Sequence, residues 1–204
     1  MSGLKYIELD SQTTVILYKG YFVEQGDNWL SQLKTKIDWQ QPSIKIMGRT
    51  LPIPRLQAYY GDKGAFYRYS NLNLSPLPFN LTLSTIKSAV EDAVDSQFNA
   101  ALLNLYRTGQ DSMGFHADDE PSIDDNFPIA SVSLGETRAM RFKSKFSQQK
   151  PTKCWLSHGD LLVMPPKMQS QWLHEVPKTK RAQFARINIT FRKVRISDKL
   201  GFLV

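Results

Sequence analysis

An internal disulfide is excluded at the outset, because the chain carries a single cysteine, Cys154. That usage suits a reducing compartment. No apolar run approaches the roughly 20 residues that cross a bilayer. The opening MSGLKYIELDSQTTVILYKGYF is polar and broken by charges, so it does not read as a signal peptide. Repeats and low-complexity tracts are missing as well. The expected location is the cytoplasm, associated with the nucleoid, if the source is bacterial, and the nucleus if it is eukaryotic. Acidic residues are in deficit: 26 Lys and Arg against 19 Asp and Glu leave a formal charge of +7. Such a surplus favours a polyanionic partner, most often nucleic acid. Histidine is scarce, with only His116, His158 and His174. One of them nonetheless sits beside a cluster of acids, in GFHADDE.

What is present suffices for one compact, monomeric domain: 204 residues, 41% of them hydrophobic. Residues 27–37, DNWLSQLKTKI, read as a helix that Asp27 can cap, with Trp29, Leu30, Leu33 and Ile37 on one face. Residues 40–55, QQPSIKIMGRTLPIPR, carry three prolines and a glycine and read as an irregular or loosely extended loop. LSTIKSAVEDAVDSQF reads as a second helix, with Ser84 as candidate cap and Ile86, Val90 and Val94 inward. After residue 98 the grammar changes to short segments rich in β-branched and aromatic residues, separated by turn chemistry: AALLNLYR, IASVSLG, RAMRFKS, KCWLSHG, DLLVMP, WLHEVP and RINITFRKV. That spacing predicts an antiparallel sandwich. The fold class is therefore α+β, a jelly roll with N-terminal helices packed outside. Its expected parts are an N-terminal extension with a helix (1–40), a nucleotide-recognition region with the second helix (41–98), a core (99–194) and a C-terminal tail (195–204).

On an extended segment, residues two apart point the same way. His116 and Asp118 therefore project together. Alone, the pair is as readily a surface turn. A second histidine, His174 in SQWLHEVPK, follows 58 residues downstream on another predicted strand. Two histidines and a carboxylate with open positions form the facial triad of non-haem Fe(II) oxygenases, although zinc uses similar sets. His158, in a turn before a strand, reads as structural. The strand ARINITFRKV separates the two metals. Arg186, Asn188, Thr190 and Arg192 lie on one of its faces, and Ile187, Ile189 and Phe191 on the other. Facing water, the polar set means nothing. Facing inward, Arg186 can grip a dicarboxylate bidentately while the other end chelates iron, and a hydrolytic zinc site has no need of that. Asn104 and Tyr106 in LLNLYR share a face and can add hydrogen bonds.

With these motifs in order, PRLQAYYGDKGAFYRYS, LLNLYRTGQDSMGFHADDE, PIASVSLGETRAMRF, LSHGDLLVM, WLHEVPK and RINITFRKV, the chain from about residue 44 to 194 resembles the AlkB family of Fe(II)- and 2-oxoglutarate-dependent dioxygenases. It is most similar to the branch acting on duplex DNA. The resemblance implies a double-stranded β-helix with Fe(II) on His116, Asp118 and His174. It implies 2-oxoglutarate on Asn104, Tyr106, Arg186, Asn188, Thr190 and Arg192, with Arg186 on the distal carboxylate and Arg192 at the iron-proximal end. Dioxygen is consumed, succinate and carbon dioxide form, and N-methyl groups of 1-methyladenine or 3-methylcytosine type leave as formaldehyde, which is direct-reversal DNA repair. Tyr67 and Tyr69 match positions lining a flipped base, and Asp119 and Glu120 match acids that meet its exocyclic amino group. Met47, where duplex-acting relatives carry an aromatic, matches the residue that enters the base stack, with Arg49 and Arg55 close to phosphates or to the gap left behind. Oxygenation of RNA or of a protein side chain, and a catalytically idle nucleic-acid-binding module, remain the alternatives at this point.

Overall fold

The computed structural model describes residues 3–46, 48–69 and 72–197. A hairpin of β1 (Gly3–Glu8) and β2 (Thr14–Lys19) leads into α1 (Val23–Lys36). A short hairpin follows, β3 (Ser43–Ile46) with β4 (Arg49–Pro52), and then β5 (Leu56–Gly61). A second ribbon, β6 (Tyr67–Tyr69) with β7 (Leu72–Leu74), precedes α2 (Leu81–Val94). The remaining strands are β8 (Ala100–Tyr106), β9 (Met113–His116), β10 (Ile129–Gly135), β11 (Arg138–Ser144), β12 (Thr152–Leu156), β13 (Asp160–Met164), β14 (Trp172–Val176) and β15 (Arg186–Arg192), with a 3-10 turn at Met168–Ser170.

Two antiparallel sheets result. The major one has seven strands in the order β1-β2-β13-β10-β15-β8-β5, and the minor one four, β12-β11-β14-β9. Alternation along the strands divides the core. On β15, Ile187, Ile189 and Phe191 point to the outer face of the major sheet, where they pack with Trp29 and Leu33 of α1 and with Leu83, Ile86 and Val90 of α2. Each such buried side chain contributes roughly 1.5–3 kcal/mol. A second cluster fills the space between the sheets and includes Val15, Leu17, Met113, Phe142, Cys154 and Leu162. This is a jelly roll with both helices outside, as the strand spacing predicts.

Several local expectations are corrected. α1 begins at Val23, a turn before Asp27, and Phe22 precedes it without a side-chain cap. Instead the start is seated on the β12–β13 turn: the Phe22 N–H donates to the Gly159 carbonyl at 2.8 Å. A Cβ on Gly159, whose φ is +76°, would stand 2.5 Å from the Val23 nitrogen. The cap of α2 is Asn80, whose side chain accepts from the Leu83 N–H, and not Ser84. The proline-bounded stretch is a regular hairpin, β3–β4, and not an irregular loop. Strands β1 and β2 were not foreseen, yet β2 pairs with β13 and extends the major sheet. No described helix is long and apolar enough to cross a membrane.

Candidate metal and cosubstrate site

The site grows from two neighbouring strands of the minor sheet. His174 on β14 and His116 at the end of β9 are direct register partners, and their ring centroids lie 4.2 Å apart. Asp118 follows two residues beyond His116. Ligand atoms of the three lie within 4.8 Å of one another, the one such group of His, Cys, Asp or Glu among the described residues. His116 Nδ1 meets the Gly114 carbonyl at 2.9 Å. That contact favours a proton on Nδ1 and leaves Nε2, 3.9 Å from Asp118 Oδ1, for a cation.

Asp118 is fixed by two residues. Its Oδ2 accepts Arg192 Nη2 at 2.6 Å and Nε at 3.1 Å, and its backbone N–H donates to Gln169 Oε1 at 3.0 Å. Its Oδ1 is buried and accepts no hydrogen bond. Burial pushes the Asp118 carboxyl up, but the charge of Arg192, helped by the two histidines, outweighs it and holds the group at about 2. Burial, and then the neighbouring His116, push His174 down to about 3. His116 is lowered as well, mainly by burial. Two neutral imidazoles and one ionised oxygen with an unused lone pair are the donor set that Fe(II) takes.

A cavity adjoins this triad. Asn104, Tyr106, Asn188, Thr190 and Arg192 line it, with His116, His174 and the apolar Met113, Met140 and Val176. Arg186 packs against one of the lining residues, Tyr106, with its Cζ 5.4 Å from the ring centroid. The Arg186 guanidinium is 1% exposed. Its Nη2 donates to Ser133 Oγ and Asn188 Oδ1, both at 2.8 Å, whereas Nε and Nη1 donate to nothing. Burial lowers it to about 10, with Arg138 adding to the depression. An uncompensated guanidinium in low dielectric is costly. A carboxylate reaching either unsatisfied donor would offset that cost, so the chemistry of this group suits the anionic end of a dicarboxylate. Asn188 and Thr190 serve the same end, since Asn188 Nδ2 donates to Thr190 Oγ1 at 2.8 Å and its oxygen stays turned to Arg186.

The remaining expected residues are placed less uniformly. Tyr67 is buried beneath Arg192, whose Cζ lies 5.5 Å from the ring centroid. Its hydroxyl bonds Glu120, and burial, then the charge of Asp118, push Glu120 up to about 7. Asp119 is exposed and ion-paired with Lys145 at 2.7 Å. Arg49 is exposed on the β3–β4 hairpin. Tyr69 ends β6, and Met47 lies outside the described residues. Arg55 differs from expectation. It is 3% exposed, and its Nε donates to Asn104 Oδ1 at 2.7 Å. It is therefore packed behind Asn104, which lines the cavity, and is not a surface residue. His158 stays structural, with Nδ1 accepting the Gly135 N–H at 2.9 Å.

Three residues escaped the sequence reading. Gln169 anchors Asp118, and nothing in MQSQWLH signals it. Ser133 orients Arg186. Arg138, 1% exposed, lies on the Tyr106 ring and donates to the Thr108, Asp111 and Pro177 carbonyls. Its parity with the apolar Met140 and Phe142 was the available signal.

A jelly roll with two imidazoles and a carboxylate beside a buried, charge-starved arginine defines a non-haem Fe(II) enzyme that uses an oxo-dicarboxylate. The family model of the 2OG-Fe(II) oxygenase superfamily matches residues 14–192. DNA oxidative demethylase ALKBH2 of Homo sapiens is 33% identical over 201 residues, spanning 94% of this chain and 76% of the relative. Alpha-ketoglutarate-dependent dioxygenase alkB homolog 3 of Mus musculus is 37% identical over 190 residues, 88% of this chain and 66% of the relative. A solved structure of OsALKBH1 superposes with a TM-score of 0.69 at 19% identity, covering 94% of this chain and all of that one, which speaks to the fold. The chain belongs to the AlkB family of the 2OG-Fe(II) oxygenase superfamily. It is an Fe(II)-dependent dioxygenase whose cosubstrates are 2-oxoglutarate and dioxygen.

Proposed function

We propose that the protein is a DNA oxidative demethylase that works in the nucleus or nucleoid. It removes N-linked methyl groups from bases of the 1-methyladenine and 3-methylcytosine type. The observation that carries this reading is the His116, Asp118 and His174 donor set in a jelly roll that also buries Arg186, with unsatisfied donors, behind Tyr106 and Asn188 of the adjoining cavity. The names of the curated relatives, a DNA oxidative demethylase among them, supply the substrate class. The basic surplus suits a polyanion.

His116, Asp118 and His174 would hold Fe(II), and bound with 2-oxoglutarate and dioxygen it supplies the oxidant for an N-methyl carbon. The protein's residues orient and exclude. Arg192 keeps Asp118 Oδ1 turned to the metal position and would hold the iron-proximal end of the cosubstrate. Arg186 would take the distal carboxylate on its unsatisfied donors. Tyr106, between Arg138 and Arg186, holds that fork in plane. The target base must leave its stack to reach this depth. Tyr67 and Glu120 then meet it, with Asp119 at the mouth. Carboxylates suit a lesion that is cationic, and Glu120 accepts from the exocyclic amino group. The hydroxymethylated base sheds formaldehyde without further help from the chain.

The deciding assay supplies Fe(II) and 2-oxoglutarate with 1-methyladenine and 3-methylcytosine in matched single-stranded DNA, duplex DNA and RNA. Formaldehyde and succinate should appear in equal amounts on DNA, and His174→Ala should lose both. Turnover on RNA alone, or succinate without restored base on every strand, overturns the reading.

A further inference from the structure

Turning from the cavity to the far side of the minor sheet, the strand alternation that sends Phe142 and His174 inward sends a different set outward. Phe115, Ala139, Arg141, Lys143, Lys153 and Trp155 form this outer face. Arg141 Cζ lies 5.7 Å and Lys143 Nζ 6.0 Å from the Phe115 ring centroid, and Lys153 Nζ lies 5.6 Å from that of Trp155. Trp155 is 46% exposed. A groove runs beside it to Lys178 and Arg181. The one carboxylate that the described strands place on this face, Glu175, is already paired with Arg141. Packing needs none of this. Edge lysines keep a strand from pairing with another chain, but that role does not call for an exposed indole set among them.

The row connects to the mouth of the site. Lys145, just past β11, ion-pairs with Asp119. Ala139, opposite Trp155 in register, lies six residues back along the strand, about 20 Å at roughly 3.3 Å per residue. At the duplex rise of roughly 3.4 Å per nucleotide that length would hold about six nucleotides, and a more extended unpaired strand spans it with fewer.

We propose that this outer face of the minor sheet binds the unpaired nucleic-acid strand that flanks the target base. The proposal rests on the demethylase reading above. Rings that stack any base, interleaved with cations that meet phosphates, are what a sequence-tolerant single-strand platform needs. Lys153 leaves the Trp155 ring for a phosphate as a base takes its place, so the cation–π pair keeps both groups ready and soluble in the free protein. Paired bases present no free face to Trp155, so the occupant is single-stranded.

Substrate length tests this. Wild type, Trp155→Ala and Lys153→Glu are compared on a 1-methyladenine trinucleotide, which reaches only the mouth, and on a single strand with about ten nucleotides on each side of the lesion. Both variants should keep the trinucleotide kcat/KM and the wild-type melting temperature. On the long strand Trp155→Ala should lose about tenfold, and Lys153→Glu should lower the slope of log affinity against log salt by about one. Equal losses on both lengths, or none on either, overturn the proposal. A loss confined to duplex substrate reassigns the face to a second strand and overturns it as well. Anisotropy binding of the unmethylated long strand decides the surface independently: if wild type turns over neither substrate, the demethylase reading falls while the variants' binding still tests this face.

Discussion

Arg186 is a buried cation whose hydrogen bonds go to neutral oxygens, Ser133 Oγ and Asn188 Oδ1, and whose guanidinium lies on the Tyr106 ring. Its two idle donors define the ligand by what they lack. Lysine keeps the charge but offers a point and no fork. Arg186→Lys should therefore raise the KM for 2-oxoglutarate by about 10- to 100-fold, the loss of one hydrogen bond to a charged group. Fe(II) affinity, read by a metal titration, should stay unchanged. A defect confined to DNA affinity would make β15 a phosphate-binding strand and end the cosubstrate reading. Much of this was legible, because the spacing of His116 with Asp118 and of Arg186, Asn188, Thr190 and Arg192 is local parity, readable without a fold. Gln169 and Ser133 were not. They come from other strands, and which residue faces which across a sandwich depends on a register that the sequence does not display. Arg55 was misread for a related reason. A basic residue in a proline-rich stretch suggests solvent, but β5 pairs with β8 and sets the Arg55 segment beside Asn104.

Elements were easier to detect than to delimit. Both helices show their apolar periodicity, yet their starts are fixed by single contacts. α1 is seated by Gly159 and by Gly26, where a Cβ would stand 2.3 Å from His158 Nε2. That packing comes from a turn more than 130 positions away, so Asp27 looked like the cap. α2 carries its own signal, Asn80, but Leu81 behind it is 85% exposed and disguises the first turn. The cap can be tested in isolation, because α2 packs on the outer face of the major sheet, away from the triad. Asn80→Ala should lower stability by about 1 kcal/mol, or about 2–4 °C in melting temperature for a chain of this size. The kcat and both KM values should not move. Unchanged melting would mean that the Leu83 N–H finds another acceptor, and changed catalysis would mean that α2 is coupled to the cavity. The missed hairpin β1–β2 had a readable pattern, since Ile7, Val15 and Leu17 are buried while Tyr6 is not. The polar turn between its strands made the segment resemble a tail.

That hairpin matters most at the scale of the molecule. Ile7, Val15 and Leu17 share a cluster with Cys154 and Leu156 of β12, so β1 and β12, edge strands of the major and minor sheets, close one common core. Cys154 is 4% exposed within it. Burial pushes its thiol from 9.0 to about 11. Only the thiolate is a nucleophile, so at pH 8 the folded protein resists thiol reagents twice over, by access and by protonation. The protonation effect alone is about 100-fold, two powers of ten for the two-unit rise. The sign for stability follows from the same shift. The folded state binds this proton more tightly, so the contribution is complete below pH 9.0 and is lost as pH rises through about 11. Opening the gap between the sheets should be the only route to reaction. In a urea series at pH 8, the labelling midpoint of the single thiol should coincide with loss of β-sheet circular dichroism, and native labelling should be at least about 100-fold slower than that of the unfolded chain. Labelling that rises well before the sheet signal falls would mean that β1 and β2 peel away first. The hairpin would then be a separable flap, and the jelly roll would have to hold its shape on the other strands alone.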